Sequence, residues 1–151
     1  MPQNGSSWVP TLTFDAVPRN LAAIRRFVRI ALAELGARDG DIDDLVQAVD
    51  ESATNVIVHG YRGGGGPLEV EAARQGRDVV MVLRDRAPRF DPTNLPAPDT
   101  STPFLARRPG GFGVFLSREL VDEVRHRDAP AGGNELLLIK RNSVDTDTQR
   151  R

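Results

Sequence analysis

The sequence has no cysteine, only one lysine among its twenty basic residues, and no long apolar run. Without cysteine, disulfides and thiolate metal sites are excluded. A bilayer-spanning helix needs about 20 consecutive apolar residues, so no membrane partner is expected. An excess of charge of either sign is also lacking. The formal net charge of -1 gives no general attraction to nucleic acid or to anionic membranes, and direct nucleic-acid binding is not expected.

The composition present is that of a folded domain. The 151 residues are 39% hydrophobic and 27% charged, which suits one hydrophobic core. The predicted organisation is a mobile N-terminus over 1–8, a single domain over 9–141 and a polar tail over 142–151. The N-terminal stretch has no basic start followed by an apolar segment, which a signal peptide would show. A cytoplasmic location is expected.

Periodicity of apolar residues predicts strands and helices in a definite order. They are an edge strand over 9–14, a helix from Pro18 to Leu35, a helix capped by Asp41 and ending near Tyr61, a hairpin over 68–73 and 79–85, a short helix over 114–121, and a hairpin over 124–126 and 135–140. This order indicates an α+β, two-layer sandwich: a mostly antiparallel mixed sheet with helices on one face. Six prolines between Pro88 and Gly111 predict a long loop that is functional or disordered.

Three polar residues recur every fourth position on the second helix. Glu51, Asn55 and His59 form a line that borders the apolar stripe, so a carboxylate and an amide can face a cleft together. The alternative interpretation is a polar seam that only solvates the helix.

Two further segments carry groups that could bind a ligand. Asp85 ends an apolar strand, where a carboxylate can accept hydrogen bonds from an exocyclic amine; an ordinary turn cap is the alternative. The segment from Gly110 to Gly113 precedes a predicted helix, and its free N–H groups suit anion binding. The segment lacks the Lys-Ser/Thr end of a P-loop, and plain loop geometry is the alternative.

The polar helix face, the segment at Asp85 and the glycine-rich segment together resemble the motifs of one known family. The segment ESATNVIVHGY from Glu51 to Tyr61 resembles the N box of anti-sigma-factor serine kinases, within the superfamily of gyrase, Hsp90, histidine kinases and MutL. Residues 85–92 resemble the family's first glycine box, and residues 110–124 resemble its second. Residues 133–140 are similar to its last strand. The resemblance covers about 14–141 in the expected order and implies a Bergerat-type ATP-binding fold.

The resemblance implies a role for each matching residue. Glu51 would be the general base that takes the proton of an attacking serine hydroxyl, and Asn55 would give a carbonyl oxygen to Mg²⁺. Asp85 would hold the adenine amine. Gly111 and Gly113 would let the backbone approach the phosphates, whose charge Arg107 and Arg108 are candidates to neutralise.

Two positions depart from the family pattern. Ala87 stands where glycine is usual, and its methyl could crowd the adenine at a cost of about 1 to 3 kcal/mol. The closing strand also lacks the threonine that many relatives place near the adenine, with Leu136 and its neighbours there instead.

The function implied is an ATP- and Mg²⁺-dependent protein-serine kinase that phosphorylates an anti-sigma antagonist and sequesters a sigma factor or similar target. The main alternative is a partner-switching binding module with weak or lost ATP binding. A detached histidine-kinase domain fits less well, because neither His59 nor His126 lies on a spare helix. A freestanding ATPase is also disfavoured. Relatives commonly pair, so a homodimer through the first helix or first strand is possible.

Overall fold

The computed structural model describes residues 6–89 and 119–145, with side chains from Val9 onward. The elements in chain order are β1 Ser6–Trp8, β2 Leu12–Asp15, a 3₁₀ turn Pro18–Asn20, α1 Leu21–Glu34, α2 Asp39–Asn55, a π-helical turn Val56–Gly60, β3 Pro67–Gln75, β4 Asp78–Asp85, β5 Glu123–Asp128 and β6 Asn134–Lys140. The predicted long loop and most of the predicted helix at 114–121 lie outside the described residues.

The six strands form one sheet in the order β1-β3-β4-β6-β5, with β2 also paired to β3. Every strand pair among the described residues is antiparallel, and the hairpin β3–β4 turns at Gly76, where φ is 62°. In the central register, Asp85 of β4 lies opposite Asn134 of β6. The predicted α+β sandwich is confirmed.

The core lies between one sheet face and the two helices. Side chains alternate across a strand, so every second residue of β3, β4 and β6 points at the helices. The fully buried side chains of this layer include Ile24, Leu32 and Leu45 from the helices, and Leu68, Met81, Leu83 and Leu138 from the sheet. One apolar layer therefore holds α2 against the middle of the sheet.

The end of α2 departs from α-helical geometry. Val56–Gly60 forms a π-helical turn, in which the Tyr61 N–H donates to the Val56 carbonyl at 2.8 Å. Glu51 and Asn55 both lie in α2, four residues apart, and so share a helix face, whereas His59 lies in the wider turn, where the α-helical spacing used for the prediction no longer applies. Turns of this kind occur often at functional sites.

Two boundary predictions were wrong. The edge strand predicted over 9–14 is two short strands, β1 and β2, because Pro10 has no N–H to continue a ladder. The predicted cap Asp41 lies inside the first turn of α2, which begins at Asp39 after Arg38. The helix begins two residues before the predicted cap. The residue that precedes it, Arg38, is fixed by a contact distant in sequence, in which its N–H donates to the Ser143 carbonyl at 2.9 Å.

Ordered packing extends into both segments predicted to flank the domain. In the N-terminal one, Ser6–Trp8 pairs with β3. Beyond residue 141, Ser143 and Val144 are fully buried, and Val144 forms a β-bridge with Ala37.

Candidate functional site

Strand alternation places Asp85 at the end of a buried apolar row. Val79, Met81 and Leu83 of β4 all lie on the buried face of the sheet, and Asp85 has the same orientation at the last position of the strand. Asp85 as a whole is only 7% exposed. A carboxylate here is costly unless hydrogen bonds satisfy it, so its surroundings determine what it can do.

Asn55 lies nearby as the last residue of α2. Its side chain is 3% exposed, and its Oδ1 atom has no hydrogen-bond partner among the described residues. An unsatisfied buried oxygen costs about 1 to 3 kcal/mol, so such atoms usually mark a place for a ligand, a water or an ion. Amide oxygens are hard ligands of the kind that Mg²⁺ prefers.

Asn55 and Asp85 line the same small cavity. Its volume is about 20 Å³, enough for one water molecule and too little for a nucleobase. The other lining residues are Ser52, Val56, Leu83, His126, Asn134 and Leu136. Polar side chains from α2, β4, β5 and β6 therefore meet on the floor of a candidate site.

The Asp85 carboxylate is held through one of its oxygens. Asp85 Oδ1 accepts hydrogen bonds from the Ala87 N–H and from Asn134 Nδ2, both at 2.9 Å. Burial raises the pKa of the Asp85 carboxyl above its usual value, and these two donors with nearby His126 oppose that rise. Asp85 Oδ2 makes no hydrogen bond with the described part of the chain, so it can accept one from a ligand.

Glu51 lies one helical turn before Asn55 and is partly buried. Burial, followed by the negative charge of Asp50, raises the pKa of its carboxyl. A carboxylate with a raised pKa accepts a proton more readily, which suits a general base.

The sequence prediction missed Tyr61, whose hydroxyl joins the end of the π-helical turn to the segment after Asp85. The hydroxyl donates to the Pro67 carbonyl at 2.6 Å and accepts the Arg86 N–H at 2.8 Å. Its ring leaves no room for a side chain at Gly66, where a Cβ would lie 2.4 Å from it. No pattern in the sequence indicates these long-range contacts.

Asn134 and His126 were also missed as site residues. The sequence could have indicated Asn134. It lies two residues before Leu136 and four before Leu138, which are buried, so alternation along the strand points its polar side chain into the core as well. His126 joins Asn134 only through the pairing of β5 with β6.

Ala87 lies beside the cavity but is not among the described residues that line it. The residue is 3% exposed, and its Cβ lies 3.2 Å from where a Cβ on Gly60 would stand. The extra methyl therefore fills the space left by glycine at the end of the π-helical turn.

A second, larger depression of about 570 Å³ also borders Asp85. Its lining includes Thr13, Glu69 and Arg84, whose strand positions face away from the helices, and it does not include Asn55. We therefore place the candidate site at the smaller cavity, which Asn55 and Asp85 both line.

Of the eight predicted site residues, the structure brings Asn55, Asp85 and Ala87 to this cavity or its edge, with Glu51 one turn away. The other four, Arg107, Arg108, Gly111 and Gly113, lie outside the described residues.

This fold and arrangement define a histidine kinase-like ATPase domain. The chain belongs to that family, whose model matches residues 14–140. The resemblance seen in the sequence is thereby confirmed. In the described part of the chain, neither helix is both long enough and apolar enough to cross a membrane.

Similar proteins carry regulatory names. The anti-sigma F factor of Clostridium acetobutylicum is 28% identical over 138 residues, covering 90% of this chain and 95% of that protein. The serine-protein kinase RsbW of Halalkalibacterium halodurans is 28% identical over 121 residues, covering 78% of this chain and 74% of that protein.

A solved structure shows the same fold. The crystal structure of the RsbU and RsbW domains of Rv1364c from Mycobacterium tuberculosis matches 93% of this chain with a TM-score of 0.60 and 28% identity. This chain spans 36% of that longer one, so the similarity concerns one part of it.

Proposed function

We propose that this chain is a Mg²⁺-ATP-dependent protein-serine kinase of the anti-sigma type. It would phosphorylate a small antagonist protein and sequester a sigma factor or a similar regulator when the antagonist is unavailable. The observation that carries the proposal is the buried Asn55 oxygen, which has no described partner and shares a cavity with Asp85. The names of the similar proteins support the regulatory part.

The donor atoms at the cavity, and not its volume of about 20 Å³, are what fit a magnesium nucleotide. Mg²⁺ usually keeps water and phosphate oxygens and takes only one or two ligands from the protein, so the Asn55 amide oxygen is a sufficient anchor. Bound there, the ion would neutralise charge on the phosphates. Asp85 Oδ2 would accept the amino group of adenine. Gly111, Gly113, Arg107 and Arg108 are proposed as phosphate contacts from sequence alone.

Glu51 is proposed as the base in the transfer step. The serine oxygen of the antagonist attacks the γ-phosphorus of ATP, and its proton passes to the Glu51 carboxylate. The bond from the γ-phosphorus to the bridging oxygen breaks, and ADP leaves with that oxygen. The raised pKa of Glu51 supports this role, because the carboxylate then holds a proton more readily.

The packing of Ala87 supports ATP binding despite its departure from the family pattern. The sequence alone indicates that its methyl could crowd the base, and in the structure that methyl packs beside Gly60. We propose that this substitution costs little ATP affinity.

We also propose a homodimer in the cytoplasm, where a sigma-factor regulator would act. Two large apolar side chains are exposed on the elements predicted for pairing: Leu12 of β2 is 44% exposed and Ile30 of α1 is 54% exposed. Sedimentation equilibrium at micromolar concentration would test pairing, and a monomeric mass would contradict it.

The kinase proposal is tested by phosphate transfer. The full chain, Mg²⁺ and γ-labelled ATP are incubated with the cognate antagonist, and phosphoserine is measured. We expect Glu51→Gln, which keeps the shape but not the base, to lower the rate about 10²- to 10⁴-fold while ATP still binds. Glu34→Gln, a change on α1, serves as a matched control. No phosphoserine from wild type, or an undiminished rate in Glu51→Gln, contradicts the proposal.

A partner-switching module without kinase activity is the second candidate. It would use the same fold and the same protein contacts, with a nucleotide site that binds ATP weakly or not at all. Calorimetry with Mg²⁺-ATP separates the two functions. Micromolar binding that Asp85→Asn weakens supports the kinase, whereas no binding by a folded chain that still binds its protein partner supports the module.

A further inference from the structure

Asn134 is the first residue of β6 and lies directly opposite Asp85 in the sheet register. Its side chain is 4% exposed, so its amide has almost no access to solvent. Paired residues of neighbouring strands point to the same face, which brings the amide and the carboxylate together inside the helix-covered layer.

The surroundings of this amide determine its orientation. Asn134 Nδ2 lies 2.9 Å from Asp85 Oδ1, 3.3 Å from the Pro88 carbonyl and 3.4 Å from the Ala87 carbonyl. All three neighbours are acceptors, so the nitrogen must face them, and the flipped amide would place oxygen against oxygen.

The opposite end of the amide meets a histidine. With the nitrogen turned to Asp85, Asn134 Oδ1 lies 3.0 Å from Nε2 of His126 on the neighbouring strand β5. Because the amide oxygen can only accept, Nε2 must carry a hydrogen and donate it. His126 therefore fixes the amide of Asn134 through its oxygen, while the amide nitrogen fixes the carboxylate of Asp85.

This chain of contacts leaves Asp85 with one oxygen for a ligand. Oδ1 is occupied by the Ala87 N–H and by Asn134, and both His126 and Asn134 line the cavity that Asp85 enters. We propose that His126 and Asn134 are positioning residues that aim the second oxygen of Asp85 at the amino group of a nucleobase. This inference rests on the proposed nucleotide binding.

The role predicts a selective effect. Without the amide, Asp85 loses a donor that orients it and that opposes the rise of its pKa on burial. Ligands that present an amino group to Asp85 should then bind less tightly, whereas a ligand without that group should be little affected.

The test compares two nucleotides on the same protein. Calorimetry with Mg²⁺ measures ATP and purine riboside triphosphate, which lacks the 6-amino group, on the full chain. We expect wild type to prefer ATP by about tenfold or more. Asn134→Leu should lower ATP affinity about tenfold and change the affinity for the analogue by less than about threefold.

A second pair of variants examines the histidine. His126→Leu should lower the preference for ATP in the same way, because nothing then holds the amide oxygen. His126→Gln should retain the preference, since its amide nitrogen can donate from a similar place. The ratio of the two affinities does not depend on the folded fraction, so a partly unfolded variant still gives a result.

The outcomes separate this inference from the proposed function. A wild type that binds neither nucleotide overturns both. Where wild type prefers ATP, retention of that preference in Asn134→Leu and His126→Leu overturns the positioning role alone. So does an equal loss for both nucleotides, which is what a purely structural role would give.

Discussion

Glu51 illustrates how a neighbour on the same helix can adjust a candidate base. The residue before it, Asp50, forms an ion pair with Arg25 of α1 at 2.7 Å and still adds to the rise in the pKa of Glu51. The carboxyl of Glu51 must be ionised to accept a proton, so activity should rise with pH through that raised pKa.

Asp50→Asn should move the acid limb of the activity profile to lower pH. Removing the negative charge of Asp50 lowers the pKa of Glu51, so the base becomes ionised earlier as pH rises. The measurement is the rate of phosphate transfer against pH at saturating ATP. Asp43→Asn is the matched control, because Asp43 also pairs with an α1 arginine, Arg29, but lies two helical turns from Glu51.

A profile that does not move in Asp50→Asn, or that moves equally in Asp43→Asn, would contradict the role of Glu51 as the titrating base.

At the scale of elements, the turn between β5 and β6 controls how closely the closing strand approaches Asp85. Gly132 and Gly133 both have positive φ, 96° and 90°. Only Gly133 lies against another element: a Cβ there would stand 1.9 Å from the Asp85 carbonyl oxygen. The glycine therefore lets β6 and the end of β4 meet in the register that pairs Asp85 with Asn134.

Gly133→Ala should be strongly destabilising, and Gly132→Ala should be the milder matched control. Both variants place a side chain at positive φ, which costs about 1 to 2 kcal/mol. Gly132→Ala adds no contact within 4 Å, whereas Gly133→Ala forces the Asp85 backbone aside. We expect a loss of roughly 3 kcal/mol or more for Gly133→Ala.

Urea denaturation of the two variants gives the comparison. Equal losses of stability in Gly132→Ala and Gly133→Ala would show that φ strain alone matters and that the close approach to Asp85 does not.

At the scale of the whole molecule, residues after β6 tie the sheet to the start of α2. Val144 is fully buried, and both its N–H and that of Ser143 donate to the Arg77 carbonyl. Arg38, just before α2, donates to Asp145 at 2.6 Å. The segment that the sequence assigns to a polar tail therefore begins with residues that pack against both layers.

A chain ending at Arg141 should be less stable than one ending at Asp145. The shorter chain loses the burial of Val144, about 1.5 to 3 kcal/mol, and the hydrogen bonds to Arg77. We expect its free energy of unfolding to fall by about 2 to 4 kcal/mol. Thermal and urea unfolding of both truncations measure this, and equal stability of the two would show that the contacts of 142–145 add nothing.

The outer face of the sheet adds a charged network that no single segment of the sequence predicts. Glu135 is 1% exposed and binds Arg84 at 2.6 Å and also Arg127, while Arg84 pairs with Glu71 at 2.8 Å. Burial acts to raise the pKa of Glu135, but the two arginines lower it overall. Three neighbouring strands, β3, β4 and β6, and the edge strand β5 contribute to this network.

The sequence by itself determined the layer architecture and the identity of the predicted site residues. Apolar periodicity is local, so it revealed both helices, both hairpins and the helix face that carries Glu51 and Asn55. The apolar run from Val79 to Leu83 likewise placed Asp85 at the end of a buried strand. The family resemblance supplied their proposed roles.

The tertiary structure alone decided what surrounds those residues. Register between distant strands brings Asn134 and His126 to Asp85, and the Arg38 to Ser143 contact moves the start of α2. The Ala87 methyl packs beside Gly60, 27 positions away, where a side chain would come within 3.2 Å of it. Such contacts join segments that are far apart in the chain. They form only when the helices pack on the sheet, so no local pattern of residues predicts them.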